Sequence, residues 1–236
     1  MATNSTRAAF ALALLTVGSF ALAACSSGTP DDGAPAGGNG STSAPAEQEQ
    51  EQETSEALSV EELGAVLEGA GLTLMSQDQV DEVTASAGSG IAYDSIEPAE
   101  CETLLASGTL AAEGASVAMG TDQASGTIVG GFSYADSSTI DTVFSTVTPE
   151  AVAACPEYTA TTDGQTVTGT IAVADVTVSG ADSAIALHES ADMAGLNLAT
   201  TRITASKGNV LVTATAVGED GTAAAELVSQ IMADLP

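Results

Sequence analysis

The first 24 residues have the three parts of an export signal, which excludes them from the folded region and sets the compartment in which the rest folds. A polar start carries a positive charge at Arg7, an apolar run extends from about Ala8 to Leu22, and small residues follow. The apolar run is too short for a membrane-spanning helix, which needs roughly 20 residues to cross about 30 Å of hydrocarbon. Arg7 has no adjacent arginine, so the twin-arginine route is not indicated. We therefore predict a signal peptide over residues 1–24.

The apolar run ends in Leu22-Ala23-Ala24-Cys25, which resembles the bacterial lipobox. In that motif the cysteine thiol receives a diacylglycerol and becomes the mature N-terminus; a coincidental cysteine after a secretory signal is the alternative. Two acyl chains, at about 0.8 kcal/mol per buried methylene, give a stable anchor where one chain does not. The sequence thus predicts a lipoprotein attached through Cys25 to the outer, extracytoplasmic face of the cell membrane.

The residues that follow Cys25 predict a disordered tether. Ser26 to Ala57 is rich in Gly, Ser, Pro and Ala and contains the alternating run Glu47 to Glu53, so it has few apolar side chains to offset its ordering entropy. A coil of this length averages about 30 Å end to end. The Glu/Gln run is alternatively a cation site, but a solvated spacer is favoured. We assign residues 25–57 to the lipidated cysteine and linker, and 58–236 to one folded domain.

The charge of the chain excludes some partners. Removal of the signal peptide leaves Arg202 and Lys207 as the only Lys or Arg residues against 32 Asp and Glu. Nucleic-acid binding depends on Lys and Arg at phosphates, so it is excluded, as is a polybasic contact with anionic lipids. Two interpretations of the acid excess stay open, adaptation to a salty exterior and attraction of cationic ligands; the scatter of the acids favours the first.

Local patterns predict helices first and hairpins later. Ser59 and Glu62 form a capping box before the apolar positions of a first helix, and a second helix is predicted through Val83. Further helices are predicted at Pro98, after Asp136 and at Pro149. Strands are predicted at Ala115–Met119, Thr127–Tyr134, Thr159–Thr162, Gln165–Val178, Ala184–Glu189, Leu196–Ala205 and Val210–Val217, before a closing helix from about Thr222. Two hairpins are predicted, with turns at Asp163-Gly164 and at Ser206-Lys207-Gly208-Asn209. This order predicts an α+β fold, an antiparallel sheet with helices packed on it.

The chain has three cysteines, and acylation of Cys25 leaves Cys101 and Cys155 as a pair. Export favours a structural disulfide between Cys101 and Cys155. The alternative, a redox-active pair, needs a nearby cation to lower a thiol pKa, whereas Glu100 and Glu102 flank Cys101. We predict a structural disulfide.

Pro98-Ala99-Glu100-Cys101 and Gly131-Phe132-Ser133-Tyr134-Ala135, with their spacing to Phe144 and Cys155, resemble the extracellular sensor domain of mycobacterial PknH-type serine/threonine kinases. That domain also occurs on stand-alone actinobacterial lipoproteins. The resemblance implies an antiparallel sheet with helices, a cleft that receives an external ligand, and the same disulfide. The chain departs from the family in having Val152 and Ala153 where a tryptophan is common, and in lacking cysteines for a second disulfide.

No catalytic or metal-binding constellation is predicted. His188 is the only histidine, and it alternates with Leu187 in a predicted strand, so we place it on the less apolar face of the sheet. The chain has no Gly-x-Ser-x-Gly elbow for a serine nucleophile, too few His and Cys for zinc, and no EF-hand spacing. We predict no enzyme activity and no cofactor, and the ligand-binding residues are unknown from sequence.

The sequence therefore predicts a membrane-anchored, non-catalytic domain that binds a ligand or partner in the cell envelope. The alternative is a structural or assembly lipoprotein that acts through protein contacts and has no small-molecule site. An enzyme of unrecognised type is a further competitor.

Overall fold

A computed structural model of the protein describes residues 56–88, 94–106, 112, 114–162, 165–193, 195–218 and 220–236. The predicted signal peptide, Cys25 and nearly all of the linker lie outside these residues. The described chain forms a nine-stranded antiparallel sheet with helices on both faces, which confirms the predicted α+β class. The strand order is β1-β3-β4-β9-β8-β7-β6-β5-β2.

The helices are α1 (Val60–Gly69), α2 (Gln77–Gly88), α3 (Glu100–Ala106), α4 (Ser138–Thr146), α5 (Pro149–Ala154) and α6 (Thr222–Asp234). The strands are β1 (Thr73–Leu74), β2 (Ser95–Glu97), β3 (Ser116–Thr121), β4 (Ile128–Ser133), β5 (Glu157–Thr162), β6 (Gln165–Val173), β7 (Ser183–Met193), β8 (Leu196–Lys207) and β9 (Val210–Val217).

Helix α1 begins at the predicted capping box. The Ser59 hydroxyl accepts from the backbone N–H of Glu62, and the Glu62 carboxylate accepts from the backbone N–H of Ser59 at 2.9 Å. Leu63 and Leu67 are fully buried. A Cβ at Gly131 of β4 would lie 3.1–3.2 Å from the Leu63 side chain, so this glycine lets α1 approach the sheet. The capping prediction is confirmed.

Several predicted boundaries are wrong, and α2 and β7 extend to Gly88 and Met193, beyond their predicted ends. Pro98 does not open a helix: its carbonyl accepts from the Cys101 N–H in the turn before α3, which begins at Glu100. Strand β6 ends at Val173 instead of Val178, because the chain then leaves the sheet. In the segment that follows, Val176 and Val178 pack against the core under α6 instead of continuing the ladder.

The two predicted hairpins are confirmed in their pairing. In the first, β5 pairs with β6 from Glu157↔Thr170 to Thr162↔Gln165; the predicted turn residues 163–164 lie outside the described residues. In the second, β8 pairs with β9 up to Lys207↔Val210.

Lys207 donates to the carbonyls of Met232 and Leu235, so a cation stabilises the C-terminal end of α6.

The sheet has two covered faces, which we name by their helices. The front face packs against α1 and α6 through buried side chains such as Val129, Ile203 and Val212. The back face packs against α2 and α4 near β3 and β4, and against α3 and α5 near β6. Because side chains alternate along a strand, each register position can be assigned to one face.

Candidate functional site

One part of the front face carries polar side chains that the helices do not bury. Helices α1 and α6 pack over β3, β4, β9 and β8, at one side of the sheet. On β6, Val167 and Ile171 are buried on the back face, whereas the alternate positions Thr168 and Thr170 are exposed on the front face. The sequence thus produces a strand with one apolar face and one hydroxyl-bearing face.

These front-face positions border an open groove of about 830 Å³. Much of its polar lining consists of residues that lie opposite each other on neighbouring strands. Glu157 lies opposite Thr170, and Thr168 lies opposite both Thr159 and Asp192. The groove is lined by Glu97, Pro98, Glu157, Tyr158, Thr159, Thr168, Gly169, Thr170, Ser190, Asp192 and Asn197.

The groove offers carboxylates, hydroxyls and one side-chain amide, and its lining contains no cationic side chain. The Thr170 and Ser190 hydroxyls are 2.8 Å apart and hydrogen-bonded, and Asp192 accepts from the Gly195 N–H at 3.2 Å. Carboxylates that lack a cationic partner attract cations and accept hydrogen bonds from hydroxyl or ammonium donors. The arrangement therefore suits a cationic or hydroxyl-rich ligand and repels an anionic one.

The only two bases of the described chain already have partners elsewhere. Arg202 donates to Glu189 at 2.5 Å on the back face, with the two side chains 19% and 31% exposed. Nε of Arg202 is buried without a hydrogen-bond partner. Lys207 is held by the α6 carbonyls. Neither base neutralises the groove.

Gly169 is a close-packed position beside the groove. It lies opposite Tyr158 in the ladder. A Cβ at Gly169 would overlap Cζ of Tyr158, and would lie 2.5 Å from the phenol oxygen and 2.6 Å from the Ser190 carbonyl oxygen. The absence of a side chain thus allows the Tyr158 ring to lie against the backbone of β6.

His188 lies on the front face, opposite Thr201. Its Nδ1 is 2.8 Å from the Thr201 hydroxyl, and that hydroxyl donates to the Gly218 carbonyl at 3.0 Å. Since the single hydroxyl proton is used on Gly218, Nδ1 must carry the proton that it shares with Thr201. Thr201 is fully buried, so this chain of hydrogen bonds connects β7, β8 and the end of β9. Absence of catalysis through His188 stays a prediction.

The predicted disulfide is present. Cys101 of α3 and Cys155, the C-terminal cap of α5, are bonded with their Cα atoms 5.2 Å apart. Both are fully buried, in a cluster with Leu104, Val152 and Ile171. The bond therefore ties the two short helices of the back face to each other. The lipidation site, Cys25, lies outside the described residues and stays a prediction.

The residues that suggested the PknH-like resemblance have packing roles. Gly131 makes room for Leu63, and Phe132 packs with the α2 and α4 side chains on the back face. The Ser133 hydroxyl accepts from the Leu58 N–H at 2.8 Å, which holds the start of the domain. Burial raises the pKa of Tyr134 to about 12. These four residues report on the fold and do not line the groove, whereas Pro98 of the other motif does line it.

A second cavity, of about 370 Å³, lies where β6 and β7 separate from each other near α4 and α5. Its lining is mainly apolar and includes Phe144, Val147, Val173, Val176 and Ile185.

In the described ranges no three or more His, Cys, Asp or Glu side chains are grouped to hold a metal ion. Within those same ranges, no helix combines the length and the apolar character needed to cross a bilayer.

Sequence reasoning did not identify the groove residues. The signal was present in β6, where Thr166, Thr168 and Thr170 alternate with Val167 and Ile171. Such an alternation predicts one polar face. It does not predict that no helix covers that face, because helix placement depends on contacts distant in sequence.

Comparisons with protein-family models and with curated proteins gave no match. Among solved structures, the chain is similar to the extracellular domain of PknH from Mycobacterium tuberculosis, with a TM-score of 0.45 and 14% sequence identity. The match covers 75% of this chain and 96% of that one. It is the type of domain that the sequence motifs suggested. At this level of similarity the match carries no argument about function, and membership of a PknH-like family stays a prediction.

Proposed function

We propose that this chain is an extracytoplasmic, membrane-anchored protein whose folded domain binds a cationic or hydroxyl-rich compound of the cell envelope without transforming it. The observation that carries the proposal is the groove of about 830 Å³, which is lined by hydroxyls and by the carboxylates of Glu97, Glu157 and Asp192. Small-molecule sites are concave and use a few convergent polar groups to orient a ligand. This groove has that form and has no cationic group in its lining.

The groove also gives a few of the domain's excess carboxylates a specific role, which is contact with the ligand. Most carboxylates of the domain are dispersed, and such charges contribute to solubility whatever the protein binds. The groove carboxylates face a shared space from three strands, β2, β5 and β7. A ligand with several ammonium or hydroxyl groups contacts more than one of them at once, so its affinity exceeds that of a simple monovalent cation.

The membrane anchor is proposed from sequence. Lipidation at Cys25 would hold the domain on the outer face of the membrane through the linker that ends at Ala57. Replacing Cys25 by alanine is expected to move the chain from the membrane fraction to the soluble fraction and to abolish incorporation of labelled palmitate. A Ser27→Ala chain serves as the matched control. Retention of the Cys25→Ala chain in the membrane fraction would refute the anchor.

The proposal extends to a sensor-like role, because the sequence motifs resemble a kinase sensor domain. In this role a signal from a bound ligand would pass to a partner protein. Non-catalytic binding agrees with the position of His188, whose Nδ1 is engaged by a buried threonine hydroxyl instead of a carboxylate or a nucleophile.

Titration calorimetry with the purified chain tests the ligand class. The probes are a glucosamine trimer, its N-acetylated counterpart, spermidine and a polyglutamate oligomer, each at 0.05 M and 0.5 M salt. We expect binding of the glucosamine trimer that weakens but persists at high salt, and no binding of polyglutamate. The double variant Glu157→Gln/Asp192→Asn should lower the affinity at least about tenfold, equivalent to 1.4 kcal/mol.

The control is Glu226→Gln/Asp234→Asn, which removes the same two charges from exposed positions of α6. If both variants reduce affinity equally, the effect is general electrostatic attraction and the groove is not the site. If none of the probes binds to the wild-type chain, the proposed ligand class is wrong.

The alternative, a structural or assembly lipoprotein, is favoured by a different observation. Three large apolar side chains, Leu196, Leu198 and Val217, are exposed together at one end of the sheet. Exposed apolar patches on soluble domains commonly mark protein-binding surfaces.

A further inference from the structure

Strand β8 extends beyond its neighbour β9 and leaves a short open edge. The β8–β9 ladder begins at Thr200↔Val217, whereas β8 itself begins at Leu196. At the end of β9, Gly218 has a φ of +99°, a left-handed conformation that turns the chain out of the sheet. Residues 196–199 are paired with β7 on one side only. We call Leu196–Ala199 together with Val217 the hairpin edge.

The backbone of the hairpin edge has a donor and an acceptor that pair with no strand among the described residues. The Gly218 N–H donates to the Ala199 carbonyl at 2.8 Å, so Ala199 directs its backbone groups toward the β9 side. Since these directions alternate along an antiparallel strand, Asn197 directs its N–H and C=O to the same side. No described strand pairs with Asn197 there. An added strand would find this pair of groups in position.

The edge also lacks the features that usually prevent strand pairing. Natural proteins protect open edges with very short strands, charged side chains, prolines or bulges. The outer strands of this sheet follow that rule: β1 has two residues, and β2 has three and ends at Glu97, just before Pro98. The segment Leu196-Asn197-Leu198-Ala199 has neither a charge nor a proline. It is the unprotected edge of the described sheet.

The side chains of the hairpin edge are apolar and exposed on one face. Leu196, Leu198 and Val217 are 73%, 45% and 69% exposed. Leu196 and Leu198 share a face by the two-residue period, and Val217 lies on that face because it is opposite Thr200 in the ladder. Strand addition would cover these three side chains together.

The surroundings of the hairpin edge are acidic. Asp192 lies opposite Asn197 on the front face, and Asp220 follows closely after Gly218. The Asp220 carboxylate accepts from the Thr222 N–H at 3.0 Å. The two described bases are engaged elsewhere, by Glu189 and by the end of α6. A second copy of this chain would bring more negative charge, so the charge favours a basic partner.

We propose that the hairpin edge is the docking site for an extended, basic segment of a partner protein, which adds a strand to β8. Alternate residues of that segment are apolar and cover Leu196, Leu198 and Val217, while its Lys or Arg side chains lie toward Asp192. Backbone hydrogen bonds give the affinity, and the alternating side chains give the register, as in other strand-addition complexes. This surface adjoins the groove and shares Asp192 and Asn197 with its lining.

The test uses the full chain and two synthetic peptides as probes. The first is a capped Lys-Val-Lys-Val-Lys-Val peptide, and the second is the same peptide with alternate backbone nitrogens methylated on one edge, which keeps the charge but removes hydrogen-bond donors. Binding is measured by calorimetry at 0.15 M salt for the wild type, for Leu198→Lys and for Val60→Lys. Val60 is another exposed apolar side chain, on α1, so its variant gains the same charge at a distant place.

We expect the first peptide to bind the wild type and Val60→Lys alike, and to bind Leu198→Lys at least about tenfold more weakly. The methylated peptide should lose affinity by a similar factor, because each net backbone hydrogen bond is worth about 0.5–1.5 kcal/mol. Equal binding of both peptides, or equal loss in both lysine variants, would refute strand addition. Sedimentation of the wild type as a dimer, and of Leu198→Lys as a monomer, would show that a second copy of this chain binds the hairpin edge. That result would overturn the proposal of a basic partner segment. The single variant Glu157→Gln keeps Asp192, so loss of glucosamine binding in that variant would leave all these outcomes unchanged.

Discussion

Replacing both disulfide cysteines by alanine is expected to lower the free energy of unfolding by about 4 kcal/mol. The bond closes a loop between residues 54 positions apart in the sequence. Loop-closure entropy for about 55 residues gives roughly 4 kcal/mol at 25 °C in the chain-entropy model. That is a large share of the roughly 5–15 kcal/mol that stabilises a typical domain. The two sulfur atoms are fully buried, so the substitutions also remove packing contacts and make the loss slightly larger.

Urea unfolding followed by far-UV circular dichroism measures this loss, in a Cys25→Ala background that prevents thiol exchange. With a slope of about 2–3 kcal/mol per molar urea, the midpoint should fall by about 1.3–2 M. The control is the Cys25→Ala chain with Cys101 and Cys155 intact, unfolded and refolded under reductant. Its urea midpoint should match that of the double variant within the small packing difference. A midpoint shift below about 0.5 M would refute the reasoning, because the cross-link would then restrict the unfolded chain very little.

Three further substitutions test the packing, the buried hydrogen bonds and the helix caps. Gly169→Ala should destabilise the domain by about 1–3 kcal/mol through overlap with the neighbouring tyrosine ring, whereas Gly69→Ala, with no atom within 4 Å of the new Cβ, should be neutral or stabilising in urea unfolding. Thr201→Val should cost about 1–3 kcal/mol, because it leaves a buried carbonyl and an imidazole N–H unpaired; a loss below about 0.3 kcal/mol would contradict the assigned hydrogen bonds. The Ser138 hydroxyl and N–H lower the pKa of Asp136 at the start of α4, so its contribution is present above the unfolded pKa and is lost as pH falls through the folded value. The stability difference between wild type and Asp136→Asn should therefore shrink below about pH 4, and a difference that grows on acidification would contradict this.

Three of the helix starts were predictable because their signals are local. The capping box at Ser59, the carboxylate of Asp136 and the Thr148-Pro149 start each satisfy backbone donors within three residues of themselves. The apolar stripe of α6 and the apolar positions of β8 and β9 were equally visible, since burial on one face imposes a period on the sequence. The fold class followed from the order of these elements.

The short outer strands and some boundaries were not predictable. Strands β1 and β2 contain two and three residues, too few to show alternation, and they exist because neighbouring strands offer hydrogen bonds. The end of β6 depends on Val176 and Val178 packing beneath α6, a contact with residues about 50 positions away. Sequence periodicity carries no information about such contacts.

Of the candidate functional features, one was predictable from the sequence and two were not. The pairing of Cys101 with Cys155 followed from compartment and parity, and the structure confirms it. The groove was not predictable, because Glu157, Thr168 and Asp192 come from three strands whose register only the folded sheet reveals. The hairpin edge was likewise invisible, because β8 was predicted to begin at Leu196 without any indication that β9 ends four residues short of it.

Amide chemical shifts during titration with the glucosamine trimer locate the ligand site residue by residue. In a ¹⁵N-labelled chain, we expect saturable shifts concentrated on the groove strands, at residues such as Thr159, Thr168 and Thr170, with the α6 amides near Glu226 unaffected. Shifts spread over all acidic residues in proportion to their exposure, or shifts confined to the apolar cavity between β6 and β7, would contradict the assignment of the groove as the ligand site.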